Sequence, residues 1–194
     1  MKQPTQRDLQ AETRRTQLLD IGLALFSERG VENVSIKDLA AEANIASGLI
    51  YHYFRSKDDL LAAVFARYSP LAELEAVIEQ MAEMPAREGL LFFAQGLGEM
   101  MLQKRNVIRL LARELLSPRS SSLDVVLSFR ETVIARLNDY FQGRIAAGEL
   151  KAHEPFVTVH MLVSSLLILL LIDQPLEPFI PKLVETVLSG IQTP

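Results

Sequence analysis

The sequence predicts an all-α fold, with an N-terminal three-helix helix-turn-helix domain followed by a helical C-terminal domain. Two short helices on a tight turn are predicted between Ser35 and Lys57. Elsewhere apolar residues recur at three- and four-residue steps, which is the period of an amphipathic helix. A chain of 194 residues is long enough for one or two domains with a sizeable core.

The composition excludes several classes of protein. There is no cysteine, so a disulfide framework, a thiolate nucleophile and a cysteine-based metal site are impossible. The three histidines are scattered, and neither a phosphate-binding glycine loop nor a serine-hydrolase elbow occurs. We therefore expect no enzymatic activity, no cofactor and no metal. The N-terminus has no apolar signal core, so we expect a cytoplasmic protein.

The first helix is predicted from about Thr13 to Arg29, after a polar, flexible arm over residues 1–12. Its inward stripe consists of Leu18, Gly22, Leu25 and Phe26. Arg14 and Arg15 would lie in its first turn, where the helix dipole disfavours a cation unless a phosphate is close. Arg14 is therefore a candidate DNA contact, and a solvated surface arginine is the alternative.

The helix-turn-helix is predicted from its capping residues. Ser35 and Asp38 form a capping-box pattern at the start of the second helix, and Asn44 tolerates the left-handed backbone that ends it. The third helix runs from about Ser47 to Tyr53. Ser56 and Asp59 repeat the capping pattern before a helix that starts at Lys57.

A helix-turn-helix places its second helix in the major groove of DNA. The leading end of that helix is small, its aromatic residues offer hydroxyls and ring nitrogens to phosphates, and Lys57 adds a charge at a helix N-terminus. Tyr51 is expected to be half-buried, with Tyr53 and His52 more outward and Phe54 in the core. A helical hairpin with core aromatics is the alternative. The candidate DNA contacts are Arg14, Ser35, Lys37, Ser47, Gly48, Leu49, Tyr51, His52, Tyr53 and Lys57.

The stretch from Thr13 to Tyr68 resembles the N-terminal DNA-binding domain of the tetracycline-repressor (TetR) family of bacterial transcriptional regulators. The matching pieces are L-L-D-I-G-L-A-L-F-S-E-R-G (Leu18–Gly30), V-S-I-K-D-L-A-A-E-A (Val34–Ala43), S-G-L-I-Y-H-Y-F (Ser47–Phe54) and S-K-D-D-L-L (Ser56–Leu61). The resemblance implies a homodimer, a three-helix DNA-binding unit and a C-terminal helical domain that binds an inducer.

The sequence departs from the family pattern at one place. Ala46 stands where the family usually has Ser or Thr, and Ser47 where it often has Lys. We therefore expect the helix cap to shift to Ser47, and one usual phosphate contact is in doubt. The net charge of the chain is −4, and residues 1–57 hold 8 Lys and Arg against 7 Asp and Glu. DNA binding would therefore depend on a few cations at specific positions and not on an overall positive charge.

The resemblance makes the helix from Lys57 to Tyr68 part of a connector between two domains. Ser69 is the expected cap and Pro70 the expected first residue of a continuation to about Met84. Pro70 is either a joint through which ligand binding tilts the recognition helix or a static kink. The expected domains are the arm at 1–12, the DNA-binding domain and connector at 13–68, and the ligand-binding and dimerisation domain at 69–194.

Residues 86–151 are predicted to form three helices. Gly89, Gly96 and Gly98 lie inside the first of them, where each costs about 1 kcal/mol relative to Ala. They indicate either close packing or room for a ligand. Apolar and cationic side chains nearby could form a deformable pocket or an ordinary core. The candidate ligand contacts are Phe92, Phe93, Leu97, Met100, Met101, Arg109, Arg113 and Phe129.

Two C-terminal helices are expected to form the dimer. The segment Phe156–Ile172 has 13 apolar residues among 17, short of the roughly 20 residues that cross a bilayer. A helix that is apolar on all sides must be covered on all sides, and a second copy can cover one of them. The candidate dimer contacts are Val159, Val163, Leu167, Leu170, Leu183, Val184, Val187, Leu188 and Ile191. A membrane-associated protein is the alternative.

We therefore expect a homodimeric transcriptional regulator, a repressor that a small-molecule inducer releases from a palindromic operator in double-stranded DNA. Two-fold symmetry predicts half-sites about 34–36 Å apart, or a multiple of that distance. An architectural or non-induced DNA-binding protein remains an alternative, and so does a small helical carrier or enzyme.

Overall fold

The computed structural model describes residues 5–117 and 123–193, and their regular structure is helical, which confirms the all-α class. One 3₁₀ turn (Val31–Asn33) follows the first helix. The α-helices are α1 (Gln6–Arg29), α2 (Ile36–Glu42), α3 (Ser47–Tyr53), α4 (Lys57–Tyr68), α5 (Leu71–Met81), α6 (Ala86–Gln103), α7 (Arg105–Leu116), α8 (Leu123–Ala146), α9 (Pro155–Leu171) and α10 (Ile180–Ile191). Within the described ranges, no helix has the length and apolarity needed to span a bilayer.

The chain divides into two compact units, and each is built from two separate stretches. The first unit takes in Met1–Ser69 and Asn106–Val126, and the second takes in Pro70–Arg105 and Leu127–Pro194. The sequence suggested one contiguous boundary near residue 69. The structure differs because α7, apart from its first residue, belongs to the first unit.

The core of the first unit explains why α7 belongs there. The predicted inward stripe of α1 is buried, which confirms that part of the prediction. Val107 and Leu110 of α7 are buried in the same cluster, with exposures of 1% and 0%. Arg113 also donates a hydrogen bond to the carbonyl oxygen of Glu28 at 3.1 Å. The first unit is therefore closed by a helix that is more than 35 residues away in sequence from the end of α4.

The first helix begins two turns earlier than predicted. Thr5 is its N-cap: the Thr5 hydroxyl oxygen accepts a bond from the Asp8 backbone N–H, and the Asp8 carboxylate accepts one from the Thr5 backbone N–H at 2.9 Å. This capping box lies within a polar stretch without apolar period, so it was not recognised. The predicted arm over residues 1–12 is thus wrong for 6–12. Arg14 lies in the interior of α1, and the argument from the helix dipole no longer applies to it.

The connector also differs from the prediction by one residue at its start. Pro70 is the N-cap of α5 rather than its first residue, and the helix ends at Met81 rather than Met84. The preceding helix, α4, has the predicted bounds. The hydroxyl of Tyr68, at the end of α4, donates a hydrogen bond to the Asp20 carboxylate of α1. Burial is the main cause that raises the pKa of Tyr68, and this hydrogen bond raises it further.

The glycines of α6 are sites of close packing. A Cβ atom at Gly89 would lie 2.1 Å from the hydroxyl oxygen of Tyr140, and one at Gly96 would lie 2.9 Å from Val77. At Gly98 the obstacle is Ile180, also at 2.9 Å. These three contacts favour close packing over the alternative that the glycines leave room for a ligand. They bring α6 against α5, α8 and α10 in the second unit.

Ion pairs fix the end of α6 and the first residue of α7 within the second unit. Lys104 Nζ lies 2.6 Å from Glu73 Oε1, and the hydrogen bond from Lys104 lowers the pKa of the Glu73 carboxyl. Arg105 pairs with the carboxylate of Asp173 and donates to the carbonyl oxygen of Leu170 at 3.4 Å. Asp173 has a φ of 59°, a left-handed backbone that follows the end of α9.

Candidate nucleic-acid interface

The helix-turn-helix starts with a reciprocal cap on α2. Ser35 Oγ accepts a hydrogen bond from the backbone N–H of Asp38 at 3.2 Å, and Asp38 Oδ2 accepts one from the backbone N–H of Ser35 at 2.7 Å. The bonds from the Ser35 hydroxyl and backbone lower the pKa of the Asp38 carboxyl. The predicted capping box is confirmed, and it fixes where α2 begins.

The turn between α2 and α3 is a Schellman motif. The backbone N–H of Ile45 donates to the carbonyl oxygen of Ala40 at 2.9 Å, and that of Asn44 donates to Ala41 at 3.1 Å. Asn44 has a φ of 52°, which confirms the predicted left-handed residue. Ile45 packs against the core of the first unit. The turn therefore sets the direction in which α3 leaves α2.

The third helix has the predicted bounds, Ser47–Tyr53, but a different cap. Its N-cap is Ala46, which makes no side-chain bond to the helix. The backbone N–H of Leu49 already donates to the carbonyl oxygen of Ala46 at 2.9 Å, so Ser47 is the first helical residue and cannot be the cap. The predicted shift of the cap to Ser47 is wrong.

One face of α3 holds the helix on the first unit. Ile50 is fully buried, Tyr53 is half-buried against the same core, and Phe54 at 2% exposure confirms its predicted core position. Tyr51 is 57% exposed. The sequence-based assignment of these two tyrosines is therefore reversed: Tyr53 follows Ile50 by three residues and shares its face, whereas Tyr51 is rotated by about 100°.

The opposite face of α3 is open. It presents Gly48, Leu49, Tyr51 and His52, while Ser47 is half-buried. The ring of His52 contacts that of Tyr53 edge-on at 5.3 Å. On α2, Lys37 is exposed, as is the capping residue Ser35. The structure thus places most of the predicted contact residues on two adjacent short helices. We call the exposed residues Gly48, Leu49, Tyr51 and His52 the outward face of α3.

Lys57 has a partner that the sequence did not reveal. Its ammonium donates to the carbonyl oxygens of Val31 at 2.7 Å and Val34 at 3.0 Å, and the residue is half-buried. Both acceptors lie in the turn that precedes α2. Lys57 therefore ties the start of α4 to the start of the helix-turn-helix. Two of the three ammonium hydrogens thus have partners inside the first unit, and the phosphate contact expected from sequence stays a prediction.

Three further cations of the first unit differ in how they are held. Arg14 donates to the side chain of Gln17 at 2.8 Å on the surface of α1. The guanidinium of Arg15 lies 5.1 Å from the ring centroid of Phe54, directly after the recognition helix. Arg55 is exposed in the turn between α3 and α4, and the sequence analysis missed it. A cation placed directly after a recognition helix was the signal available.

The Ser56 cap is only half of the predicted box. Ser56 Oγ accepts a bond from the backbone N–H of Asp59 at 3.0 Å. The carboxylate of Asp59 turns to the backbone N–H of Arg55 instead, at 2.9 Å. This bond anchors the backbone of Arg55 and leaves its exposed side chain facing solvent.

The predicted ligand contacts fall in different units. Five of them lie on α6 in the second unit, where Phe92 is half-buried and Phe93, Leu97, Met100 and Met101 are buried. Arg109 and Arg113 lie on α7 in the first unit. The side chain of Phe129 is outside the described part of the structure. Among the described residues, no three His, Asp or Glu side chains are grouped to hold a metal ion.

The predicted dimer contacts lie mainly inside their own subunit. Val159, Leu170, Leu183, Val184, Val187 and Leu188 are buried, and Val163, Leu167 and Ile191 are half-buried. A different row of α9 and its C-cap is exposed, and we call it the α9 stripe. It consists of Phe156, Val157, Met161, Ile168 and Ile172, which are 44–59% exposed.

The fold and this surface define a helix-turn-helix protein with a second, all-helical unit. The model for bacterial regulatory proteins of the tetR family matches residues 18–64, the region that contains the second half of α1, all of α2 and α3, and most of α4. This match covers about a quarter of the chain, and it makes the N-terminal region similar to that of the tetR family.

Similar proteins share the sequence in part and the fold throughout. The transcriptional repressor KstR2 of Mycobacterium tuberculosis is 36% identical over 75 residues, which cover 34% of this chain and 38% of that protein. The chain thus spans less than two fifths of the length of this curated relative. The structure of KstR2 from that organism superposes with a TM-score of 0.73 at 20% identity, covering 93% and 96% of the two chains. FadR of Bacillus subtilis gives a TM-score of 0.72 at 20% identity, covering 91% and 99%.

Proposed function

We propose that the chain is a dimeric DNA-binding transcriptional regulator, a repressor that leaves a palindromic operator when a small molecule binds its second unit. One observation carries the proposal: α3 is held by Ile50 and Tyr53 while its outward face stays open, inside the region that matches the tetR family. A recognition helix needs a rigid mount and a free face in this way.

DNA docking would use the outward face of α3 in the major groove and cations on either side for the phosphates. Lys37 and Arg55 are exposed next to α3, and Arg15 is held at its end by Phe54. Lys57 is a weaker candidate than these three for a phosphate contact, because two of the three donors of its ammonium already bind carbonyl oxygens. Few cations face the DNA in each subunit, so a dimer that doubles them gains much of its affinity from the second copy.

The α9 stripe is the surface that we assign to the dimer. Val157, Met161 and Ile168 are separated by steps of four and seven residues, which places them along one side of α9, and Phe156 lies next to them at the start of the helix. Polar groups on the same helix bond their own backbone: Ser165 donates to the carbonyl oxygen of Met161 at 2.5 Å, and His160 Nδ1 lies 2.7 Å from that of Phe156. A second copy of α9 could therefore cover the stripe with these two polar groups already bonded.

The inducer site would lie beside α6 in the second unit. The side chains of Phe93, Met100 and Met101 are apolar and buried there, which suits an apolar ligand that displaces flexible methionines. A similar structure, FadR of Bacillus subtilis, is described as a complex with stearoyl-CoA. An inducer would release DNA only if it binds the conformation with low DNA affinity more tightly than the DNA-binding conformation. The size of that difference in affinity limits how far the equilibrium shifts.

A DNA-binding protein without an inducer is the second candidate, and one observation favours it. The space beside Gly89, Gly96 and Gly98 is in each case occupied by a neighbouring side chain, so it is not open to a ligand. A thermal-shift screen of the purified protein against small apolar molecules separates the two candidates. Stabilisation by a compound that also lowers DNA affinity supports the induced regulator, and a screen without such a compound supports the second candidate.

The proposal is tested by selection of bound duplexes from a random library by the purified protein. We expect enrichment of a palindrome with half-site centres about 34–36 Å apart, or a multiple of that. The operator variant with one half-site scrambled should bind much more weakly. Failure to enrich any sequence, with no measurable affinity for duplex DNA at low salt, would contradict the proposal.

A further inference from the structure

The outward face of α3 carries an exposed aliphatic side chain. Leu49 is 38% exposed, although its neighbour Ile50 and the α2 residue Leu39 are fully buried. The fold therefore does not need Leu49 as a core residue. Its side chain lies on the face that enters the groove if the protein binds DNA as proposed above.

The residue types of α3 restrict what it can read. Arg and Lys read guanine, and Asn and Gln read adenine, through paired hydrogen bonds in the major groove. None of these four types occurs between Ser47 and Tyr53. At the leading end, Ala46, Gly48 and Leu49 offer no polar side-chain atom, and the one hydroxyl there belongs to Ser47, which is half-buried. The one apolar group that base edges present in the major groove is the C5-methyl of thymine.

Gly48 leaves the approach to Leu49 open. A Cβ atom added at Gly48 would meet nothing within 4 Å, so neither packing nor backbone conformation within the subunit demands glycine there. The absent side chain lets the helix backbone come close to the base edges. In that position the side chain of Leu49 is the bulkiest group at the leading end of the helix.

We propose that Leu49 recognises the C5-methyl group of one thymine in each operator half-site. This inference rests on the proposed DNA binding and adds a specificity-determining residue to it. The contact removes the Leu49 side chain and the methyl group from water together, which is favourable for two apolar groups. Specificity at this base pair then comes from apolar contact rather than from hydrogen bonds.

The effect on affinity has a definite size. Burial of one methyl group corresponds to about 0.8 kcal/mol, which is about a fourfold change in affinity. Replacing thymine by deoxyuridine removes only that methyl group. We expect about a fourfold loss of affinity for one substituted half-site and about fifteenfold for both.

The experiment starts from duplexes selected by the wild-type protein from a random library. Each thymine of the selected site is replaced by deoxyuridine, one symmetric pair at a time, and affinity is measured by fluorescence anisotropy at fixed salt. One pair should show the expected loss with the wild-type protein. With Leu49→Ala this dependence on the methyl group should vanish, and with Leu49→Met it should remain.

Leu9→Ala is the matched control, because Leu9 is a similarly exposed leucine of the first unit, on α1. It should keep the wild-type pattern. A scan without any methyl dependence, selected half-sites without a shared thymine, or a dependence that survives in Leu49→Ala would overturn the inference while DNA binding stands. Absence of any selected sequence would overturn the proposed DNA binding and the inference together. If Leu49→Ala is unstable in thermal unfolding, Leu49→Ser replaces it, and the dependence on the methyl group should vanish with that variant too.

Discussion

The helices α3 and α9 both expose apolar side chains, and the two surfaces differ in what can cover them. The α9 stripe has five large apolar members over a helix of 17 residues. On α3, Leu49 and Tyr51 stand beside Gly48 and His52 over seven residues. A long continuous stripe suits another apolar helix, whereas a short face that mixes apolar and polar groups suits a hydrated groove. Length and polar content thus distinguish the two surfaces better than exposure does.

The largest effect is expected from a charge in the α9 stripe. Ile168→Glu would bury an unpaired carboxylate twice in a two-fold interface, so we expect the dimer dissociation constant to rise at least ~100-fold. DNA affinity should fall with it. Sedimentation equilibrium measures the change, and Gln142→Glu, at an exposed position of α8, should stay dimeric. A dimeric Ile168→Glu protein would remove the contrast between the two surfaces.

The next largest effect is expected from the Lys57 hydrogen bonds that tie the start of α4 to the turn before α2. Lys57→Met keeps the length of the stem but loses the bonds to Val31 and Val34, and we expect a loss of about 1–2 kcal/mol in the free energy of unfolding. Urea denaturation without DNA measures it. The salt dependence of DNA affinity should keep its slope. A reduced slope with unchanged stability would instead identify Lys57 as a phosphate contact.

Arg55 provides the reverse case two residues away. Arg55→Ala should leave stability unchanged, since the side chain is exposed, but should weaken DNA binding. Each lost phosphate contact lowers the slope of log affinity against log salt by about 0.9, so a dimer should lose about 1.8. Anisotropy titrations at salt concentrations from about 50 to about 200 mM measure the change in slope. A slope equal to that of the wild type would exclude this contact.

The smallest effect is a pH dependence at the cap of α2. Hydrogen bonds from Ser35 lower the pKa of Asp38 in the folded state. This carboxylate therefore stabilises the fold above its ordinary pKa of 3.8, which applies to the unfolded chain. That contribution is lost as the pH falls through the lower folded value. Asp38→Asn should therefore be less stable than the wild type at neutral pH, and the difference should shrink below pH 3.8. A difference that is independent of pH would assign the effect to lost geometry alone.

The sequence predicted the local parts of the first unit well. The Ser35 cap, the left-handed Asn44 and the bounds of α3 follow from interactions within a few residues, and all three are confirmed. The start of α1 at Gln6 was missed because its capping box precedes no apolar period. Tyr51 and Tyr53 were reversed because the sequence did not show that Ile50 is the buried residue of α3, whose face Tyr53 shares.

Long-range contacts could not be predicted in the same way. The partners of the Lys57 ammonium lie 23 and 26 residues away in sequence, and no local pattern indicates them. On α9 nearly every residue is apolar, so periodicity could not show which side is buried by its own subunit. The glycines of α6 were recognised as unusual, but only the positions of Tyr140, Val77 and Ile180 explain them.

The membership of α7 in the first unit limits how this protein can be cut or recombined. A fragment that ends at Ser69 would lack Val107 and Leu110, and its core would be open to water on one side. A chimera that transfers only the N-terminal helices to another regulator would carry the same gap. The smallest portable module is discontinuous, so exchange of these units between regulators requires two joints rather than one.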